Sequence, residues 1–439
     1  MDTIANIDLL IEARWIVPVE PHDVALEHHA LAIDAGRIVA LLPAALAKAR
    51  YQPRRRVELG QHVLLPGLIN LHTHAAMTLL RGYADDMALM DWLNQRIWPA
   101  ERAHVSHDFV HDGTLLAAAE MLRGGITCFS DMYFHPEAAA AAAIEMGIRA
   151  ALGMVVIEFP SGYAADADDY LAKGLAARDV LRDEALISFC MAPHAPYTVS
   201  DRSLERIMTL ANQLDLPIHM HLHETREEIA DSLKQCGLRP LARLQRLGFL
   251  GPNLIAVHAV HLEPDEIALL AEQGCAVAHC PTSNMKLASG IAPVTALRQQ
   301  GVRVGLGSDG AASNNRLDLL REMHQAALLA KVASGDATAL SAHQVLRMAT
   351  LDGASALGLD ERIGSLVVGK EADLCAVRLD DAILAPCYNP VSHLVYCAGR
   401  EQVSHVWVGG IERVADGLLC AGNTRLLDLA HTWHNALTS

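Results

Sequence analysis

Between about residues 110 and 310 the chain alternates short apolar runs with longer segments of helical pattern, joined by brief connections. EPDEIALLAEQG places Pro264 at a first helical position and Gly274 as a stop, and CAVAHCP after it reads as a strand. PVTALRQQG and VRVGLGSDG repeat the pair. Upstream, HPEAAAAAAIEMG is a proline-started, alanine-rich helix closed by Gly147, and the apolar IRAALGMVVIEF follows it. LERIMTLANQLDL precedes PIHMHLHET in the same way. Strands separated by helices run parallel, and this many units predict an α/β protein built on a (β/α)8 TIM-like barrel. No G-x-G-x-x-G follows a first strand, which weighs against an open doubly wound sheet.

The two ends carry a different pattern. Residues 6–65 hold alternating, turn-separated runs such as DLLIEARWIVPVE and HALAIDAGRIVALL, and residues 372–420 do the same with ADLCAVRL and HVWVGGIERVADGLL. This arrangement predicts that residues 1–65 and 372–439 combine into a small β-sandwich beside a barrel formed by residues 66–371. Pro66-Gly67 marks the entry to the first barrel strand.

Composition narrows the function. Half of the 439 residues are apolar and a fifth are charged, so a large core can be buried. A formal charge of −16 argues against a nucleic-acid partner. No apolar run is long enough to span a bilayer, and the N-terminus lacks the basic-then-apolar order of a signal peptide. A cytoplasmic protein without a membrane partner is expected. Nine scattered cysteines, none spaced C-x-x-C, fit reduced thiols rather than a disulfide framework.

The 23 histidines carry the chemistry, because several close apolar runs. In a strand, residues i and i+2 share a face, so His72 and His74 of INLHTHAAM point one way. PIHMHLHET offers His219, His221 and His223 before Glu224; all three share a face only if the strand extends that far. LIAVHAVHL ends its run at His258, and VGLGSDGAASNN places Asp309 between a strand and a turn-rich loop. Each lies where a barrel strand would reach its C-terminal end, the face on which active sites of this fold are built. Three histidines and a carboxylate with one open position describe a catalytic metal site. His72, His74, His221 and Asp309 supply such a set, with Glu224 and His258 placed for proton handling.

These motifs, with LPGLINLHTHAAMTLLRGYADD, WLNQRIWPAE, GITCFSDMY, APHAPYTVS, HCPTSNMKLASGIAPV and IGSLVVGKEADL, resemble the amidohydrolase superfamily. Within it the chain looks most like the 5-methylthioadenosine/S-adenosylhomocysteine deaminases and their chlorohydrolase-like relatives. The resemblance runs from about residue 60 to 375, and the β-rich ends match the family's composite sandwich.

The resemblance implies a metal-dependent hydrolase of C–N bonds that deaminates 5′-methylthioadenosine, S-adenosylhomocysteine or adenosine. The products are an inosine-type nucleoside and ammonia. It makes His72, His74, His221 and Asp309 the ligands of one divalent metal ion per subunit. Glu224 becomes the proton shuttle to the ring nitrogen, His258 polarises the attacking water, and Asp309 also accepts a proton from it. Glu101 would bind the ribose hydroxyls, and His194 would contact the substrate beside Glu224 and Asp309. ALISFCMAPHAPYTVS contains no lysine to bridge a second metal, so a single ion is expected: zinc first, iron next. A homodimer or tetramer is compatible with the resemblance.

One departure bears on the substrate. Many relatives carry an arginine at the place aligned with Met154, where it helps hold the substrate's far end, and methionine there favours a smaller, less polar 5′ group. Asp85 and Asp86 read as loop or surface residues, and Trp92, Leu93, Ile97 and Trp98 as a packed helical face, one member of which is a candidate to line a base pocket. His261 reads as a loop cap, and His279 as a support for the ligands. The competing readings are a deaminase or chlorohydrolase of a free base or triazine-like ring, such as guanine or a cytosine-like ring, and a non-catalytic metal-binding protein.

Overall fold

The computed structural model describes residues 4–438. Four strands lead the chain: β1 (Ala5–Ile16), β2 (Leu26–Asp34), β3 (Arg37–Pro43) and β4 (Tyr51–Pro66). Eight more follow as β5 (Leu68–Thr73), β6 (Ile126–Asp131), β7 (Arg149–Val156), β8 (Ile187–Pro193), β9 (Ile218–Leu222), β10 (Leu254–His258), β11 (Ala276–His279) and β12 (Arg303–Leu306). Each of these eight pairs in parallel with its neighbour in chain order, with helices between them, as the alternating pattern predicts. Polar bonds close the ring between β12 and β5. Asp309 N donates to His72 O at 3.0 Å, and Asn70 joins Ser308 through Nδ2–Oγ at 2.7 Å and N–Oδ1 at 2.8 Å. Gly307 is needed at this seam, because a Cβ there would lie 2.9 Å from the Cβ of His72.

The proline and glycine signals fall where they were read. Pro136 and Pro264 start helices Pro136–Met146 and Pro264–Glu272, and Gly147 ends the first in a left-handed conformation. A short helix, Ala44–Arg50, breaks the expected run of N-terminal strands, since its AALAKAR sequence has no alternation to hold a strand.

The last strands, β13 (Leu374–Arg378), β14 (Val403–Val408), β15 (Ile411–Ala415) and β16 (Leu418–Leu419), pair with the first four. Hydrogen bonding joins them in the order β16-β15-β14-β13-β4-β1-β2-β3, so the two chain ends form the composite β unit beside the barrel that their patterning predicts. β13 and β4 join the two ends, with Leu374 opposite Pro66 and Ala376 opposite Leu64. Residues from six strands, among them Ile11, Ile33, Ile38, Leu64, Leu374 and Trp407, share one core. The segment after residue 372 also returns to the barrel. Trp433, on the closing helix Thr424–Thr438, stacks edge-on against Phe109 and donates to Asp112. Among the described residues no helix is long and apolar enough to cross a membrane.

A buried ion network ties the sheet to the barrel. Arg149, at the start of β7, is 5 % exposed and reaches Asp373 through Nε at 2.8 Å and Nη2 at 3.0 Å, with a further bond to Glu371. Asp373 also accepts from Gly409 N, while its carbonyl accepts from Gly67 N where the barrel begins. Removing one partner from a buried pair leaves the other charge uncompensated, which costs about 3–5 kcal/mol. Arg149→Met is expected to lower unfolding free energy by about that amount in urea titration; a change within about 0.5 kcal/mol would show the network to be dispensable.

Candidate metal centre and substrate cavity

The expected donors meet at the C-terminal mouth of the barrel. His72 sits near the end of β5 with His74 just beyond it, His221 lies in β9, His258 ends β10, and Asp309 follows β12. His72 Nε2 and His74 Nε2 each lie 3.3 Å from Asp309 Oδ1, and His221 Nε2 lies 3.3 Å from His72 Nε2. Metal–nitrogen and metal–oxygen bonds near 2.0–2.1 Å in a tetrahedron put neighbouring donors about 3.3–3.4 Å apart. These three edges have that length, and they fall into two donor groups that share His72: His72, His74 and Asp309, and His72, His221 and His258.

The other ring nitrogens are already engaged. His74 Nδ1 is 2.6 Å from the Met132 carbonyl and His221 Nδ1 is 2.8 Å from that of His194, so in both rings Nδ1 carries the proton and Nε2 presents a lone pair. His72 Nδ1 is 3.1 Å from His219 Nε2. Burial lowers His72 to about 4, so a proton is a poor substitute for a cation between these lone pairs. Burial pushes the Asp309 carboxyl up, but the His72 bond and the His74, His72 and His258 charges outweigh it and hold the group well below its ordinary range. Ser283 and Ser313 both donate to Asp309 Oδ2, at 2.6 and 2.7 Å.

The structure separates the histidines that sequence left open. β9 stops at Leu222, and His223 turns away with φ +54°, its Nε2 accepting from Leu241 N. His219 shares the face of His221 but lies behind His72. His261 closes a loop through Ser289 O at 2.7 Å, whereas His258 faces the site with Nε2 3.7 Å from Glu224 Oε2. His258 and Asp309 both hold left-handed backbone, φ +70° and +60°, where the strands break off sharply. His279 is buried outside the cavity lining.

A cavity of about 640 Å³ opens onto these groups. His194 and Glu224 line it near the donors, and Glu101 lines it farther out. All four of Trp92, Leu93, Ile97 and Trp98 line it, where one was expected to, while Trp92 and Ile97 also pack into the core as read. Their helix contains a π turn, Leu93–Ile97, ahead of Pro99, which lacks the N–H that an α turn requires. Glu101 accepts from Tyr133 Oη at 2.7 Å, and burial raises its carboxyl to about 7. Burial also raises Glu224, against the pull of His258.

Met154 is not in this cavity. Its Cβ lies 2.8 Å from where a Cβ on Gly174 would sit, so it packs outward onto helix Ala167–Leu181, and Val155 and Ile157 face the cavity instead. Methionine at this position therefore does not set the size of the 5′ group. Asp85 is an exposed loop residue, as read, and accepts from Lys286 Nζ at 2.5 Å.

Several supporting residues escaped the sequence reading. Asn284 Oδ1 holds His258 Nδ1 at 2.9 Å, and Ser289 reaches Glu224 at 3.3 Å. The Glu228 carboxylate accepts the backbone N–H groups of His223 and Glu224 at 3.0 and 2.8 Å, fixing the turn that presents Glu224. The signal for Asn284 was the polar TSN run shortly after a strand end.

Comparison with known proteins agrees with this geometry. Residues 63–412 match the amidohydrolase family. A protein of Teredinibacter turnerae named 5-methylthioadenosine/S-adenosylhomocysteine deaminase is 48 % identical over 94 % of both chains. A protein of the same name from Syntrophobacter fumaroxidans is 46 % identical over 92 % of both. A crystal structure described as an adenosine deaminase from Xanthomonas campestris with bound zinc is 50 % identical, covers 99 % of this chain and 100 % of its own, and superposes with a TM-score of 0.98. The zinc complex of an atrazine chlorohydrolase from Arthrobacter aurescens, 23 % identical over 97 % of this chain and 99 % of its own, shares the fold with a TM-score of 0.89. The chain belongs to the amidohydrolase family, in its 5-methylthioadenosine/S-adenosylhomocysteine deaminase branch.

Proposed function

We propose that this protein is a zinc-dependent deaminase of adenine nucleosides, and that His72, His74, His221 and Asp309 hold the ion. The observation that carries the reading is the set of 3.3 Å donor edges beside a buried acid, Glu224, at the end of a nucleoside-sized cavity. Three nitrogens and a carboxylate suit zinc, the ion present in the Xanthomonas relative. When bound, the ion supplies Lewis-acid activation of a water molecule.

The remaining chemistry belongs to the side chains. Glu224, whose carboxyl burial raises above its ordinary range, donates a proton to N1 of the adenine ring as C6 becomes tetrahedral. Its Oε2 lies beside His258, whose ring Asn284 holds in place to orient the attacking water. Asp309 accepts a proton from that water, with Ser283 and Ser313 fixing its second oxygen. A proton delivered to the exocyclic nitrogen then releases ammonia and leaves the 6-oxo product.

Glu101 distinguishes a nucleoside from a free base or triazine. Its carboxylate has lone pairs beyond the one taken by Tyr133 and can accept from both ribose hydroxyls. The wall beyond it is Trp98, Val105, Phe159 and Pro160, with Arg102 the one basic side chain other than histidine in the lining. That apolar surface favours a small 5′ substituent such as methylthio, an argument independent of Met154.

Chelation is expected to abolish the loss of adenine absorbance and zinc to restore it, while Glu224→Gln lowers kcat by about 10²–10⁴-fold. Among methylthioadenosine, adenosine, S-adenosylhomocysteine, guanine and cytosine, the first should give the highest kcat/KM; turnover of only the free bases would defeat the nucleoside reading. Because Glu101 must be ionised to accept both hydroxyls, kcat/KM for nucleosides should fall as pH drops below about 7. Glu101→Gln should cut kcat/KM about 10-fold or more and flatten that acid limb; an unchanged nucleoside KM and pH profile would remove the ribose role.

A further inference from the structure

Away from the active-site cavity, a second cleft of about 600 Å³ lies between the barrel helix His107–Arg123 and the closing helix Thr424–Thr438. Arg81, Arg123, Arg316 and Arg400 line it against two carboxylates, Glu120 and Glu401, in a chain whose formal charge is −16. Glu120 is fully committed. It pairs with Arg81, accepts from Arg400 at 2.6 Å and accepts the backbone N–H of Leu317 at 3.2 Å. Arg123 and Arg316 have no ion pair or hydrogen bond among the described residues, although Arg316 and Arg400 feel the charge of Asp318 behind them. Leu116, Leu419, Leu426 and Leu427 form the apolar side of the same cleft.

Two of these arginines are wired to the metal centre. Arg81 ends the 3-10 turn Ala75–Leu80 that starts at His74, and Arg316 lies just past the helix Ala311–Asn314 that follows Asp309. Arg81 also donates to the carbonyl of Asn315, and Lys286 links Asn315 to Asp85. The two segments that begin at His74 and Asp309 therefore meet at the cleft's rim.

We propose that this cleft is a regulatory anion site for a phosphorylated metabolite of nucleotide size. Its phosphate groups lie against Arg123 and Arg316, whose guanidinium groups are open to bidentate pairing, with the Glu120-paired Arg81 beside them. Its organic part rests on the leucine side. The cleft's volume falls in the range of small-molecule sites. Occupancy fixes the relative position of the two segments and so changes catalysis at the donors they carry.

The test uses the zinc-loaded enzyme with uridine diphosphate, which has no adenine to enter the catalytic cavity, and with inorganic phosphate as a second probe. Arg123 and Arg316 are exposed, so the Arg123→Ala/Arg316→Ala double variant should fold and deaminate as the wild type does without the anion. Calorimetric titration should show saturable binding to the wild type, about 10-fold or more weaker in the double variant, with kcat/KM shifted at least about twofold only in the wild type. A diphosphate effect arising from zinc chelation would appear equally in both proteins and would overturn the proposal. So would no saturable binding up to about 10 mM, binding that survives the double substitution, or binding that leaves kcat/KM unchanged.

Discussion

At the mouth of the barrel His72 Nε2 stands 3.3 Å from both Asp309 Oδ1 and His221 Nε2, and His74 Nε2 stands 3.3 Å from the same carboxylate oxygen, a crowding of lone pairs that a cation would relieve. Much of the surrounding structure enforces that crowding. His74 and His221 have their Nδ1 protons tied to backbone carbonyls, so the rings cannot relieve the approach by turning over. Asp309 is held by two serines and reached across the seam where β12 meets β5. The closure of the barrel and the assembly of the site are one event, because the Asp309 N–His72 O bond belongs to both.

Around that centre the carboxylates divide the work by environment. Glu224 is buried beside His258, and burial raises its carboxyl; Glu101 is buried beside a tyrosine and lies among aromatic walls. Asp309 sits among histidines that hold its carboxyl well below the ordinary range. In the proposed reaction one residue type serves as acid, as hydroxyl acceptor and as metal ligand, set apart by neighbours alone. Glu228 adds a fourth use, anchoring by its carboxylate the backbone on which Glu224 stands.

The legible parts of the sequence were those where one strand end or one turn decides the outcome. His72, His221 and His258 close apolar runs, and a parallel barrel gathers such ends on one face. The direction of Met154 was illegible for a physical reason. Every residue of β7 is buried on both faces, so no hydrophobic alternation marks which side chains point inward. Helical spacing marked Trp92, Leu93, Ile97 and Trp98 as one face, but a π turn at Leu93–Ile97 lies within it, and periodicity alone does not say that all four line the cavity. Asn284, Ser289 and Glu228 act across loops whose paths depend on the finished barrel. Which strands join the two ends was set by pairing over some 300 residues, which local alternation does not encode.

X-ray absorption at the metal edge of the purified protein tests the central claim most directly. The account predicts one ion per chain with only nitrogen and oxygen donors at about 2.0–2.2 Å. Cys280 lies close by, its Sγ 3.0 Å from where a Cβ on Gly307 would sit, and is the sulfur donor this prediction excludes. A sulfur shell near 2.3 Å, a second metal at about 3.5–4 Å, or a fully active protein without metal would contradict the account.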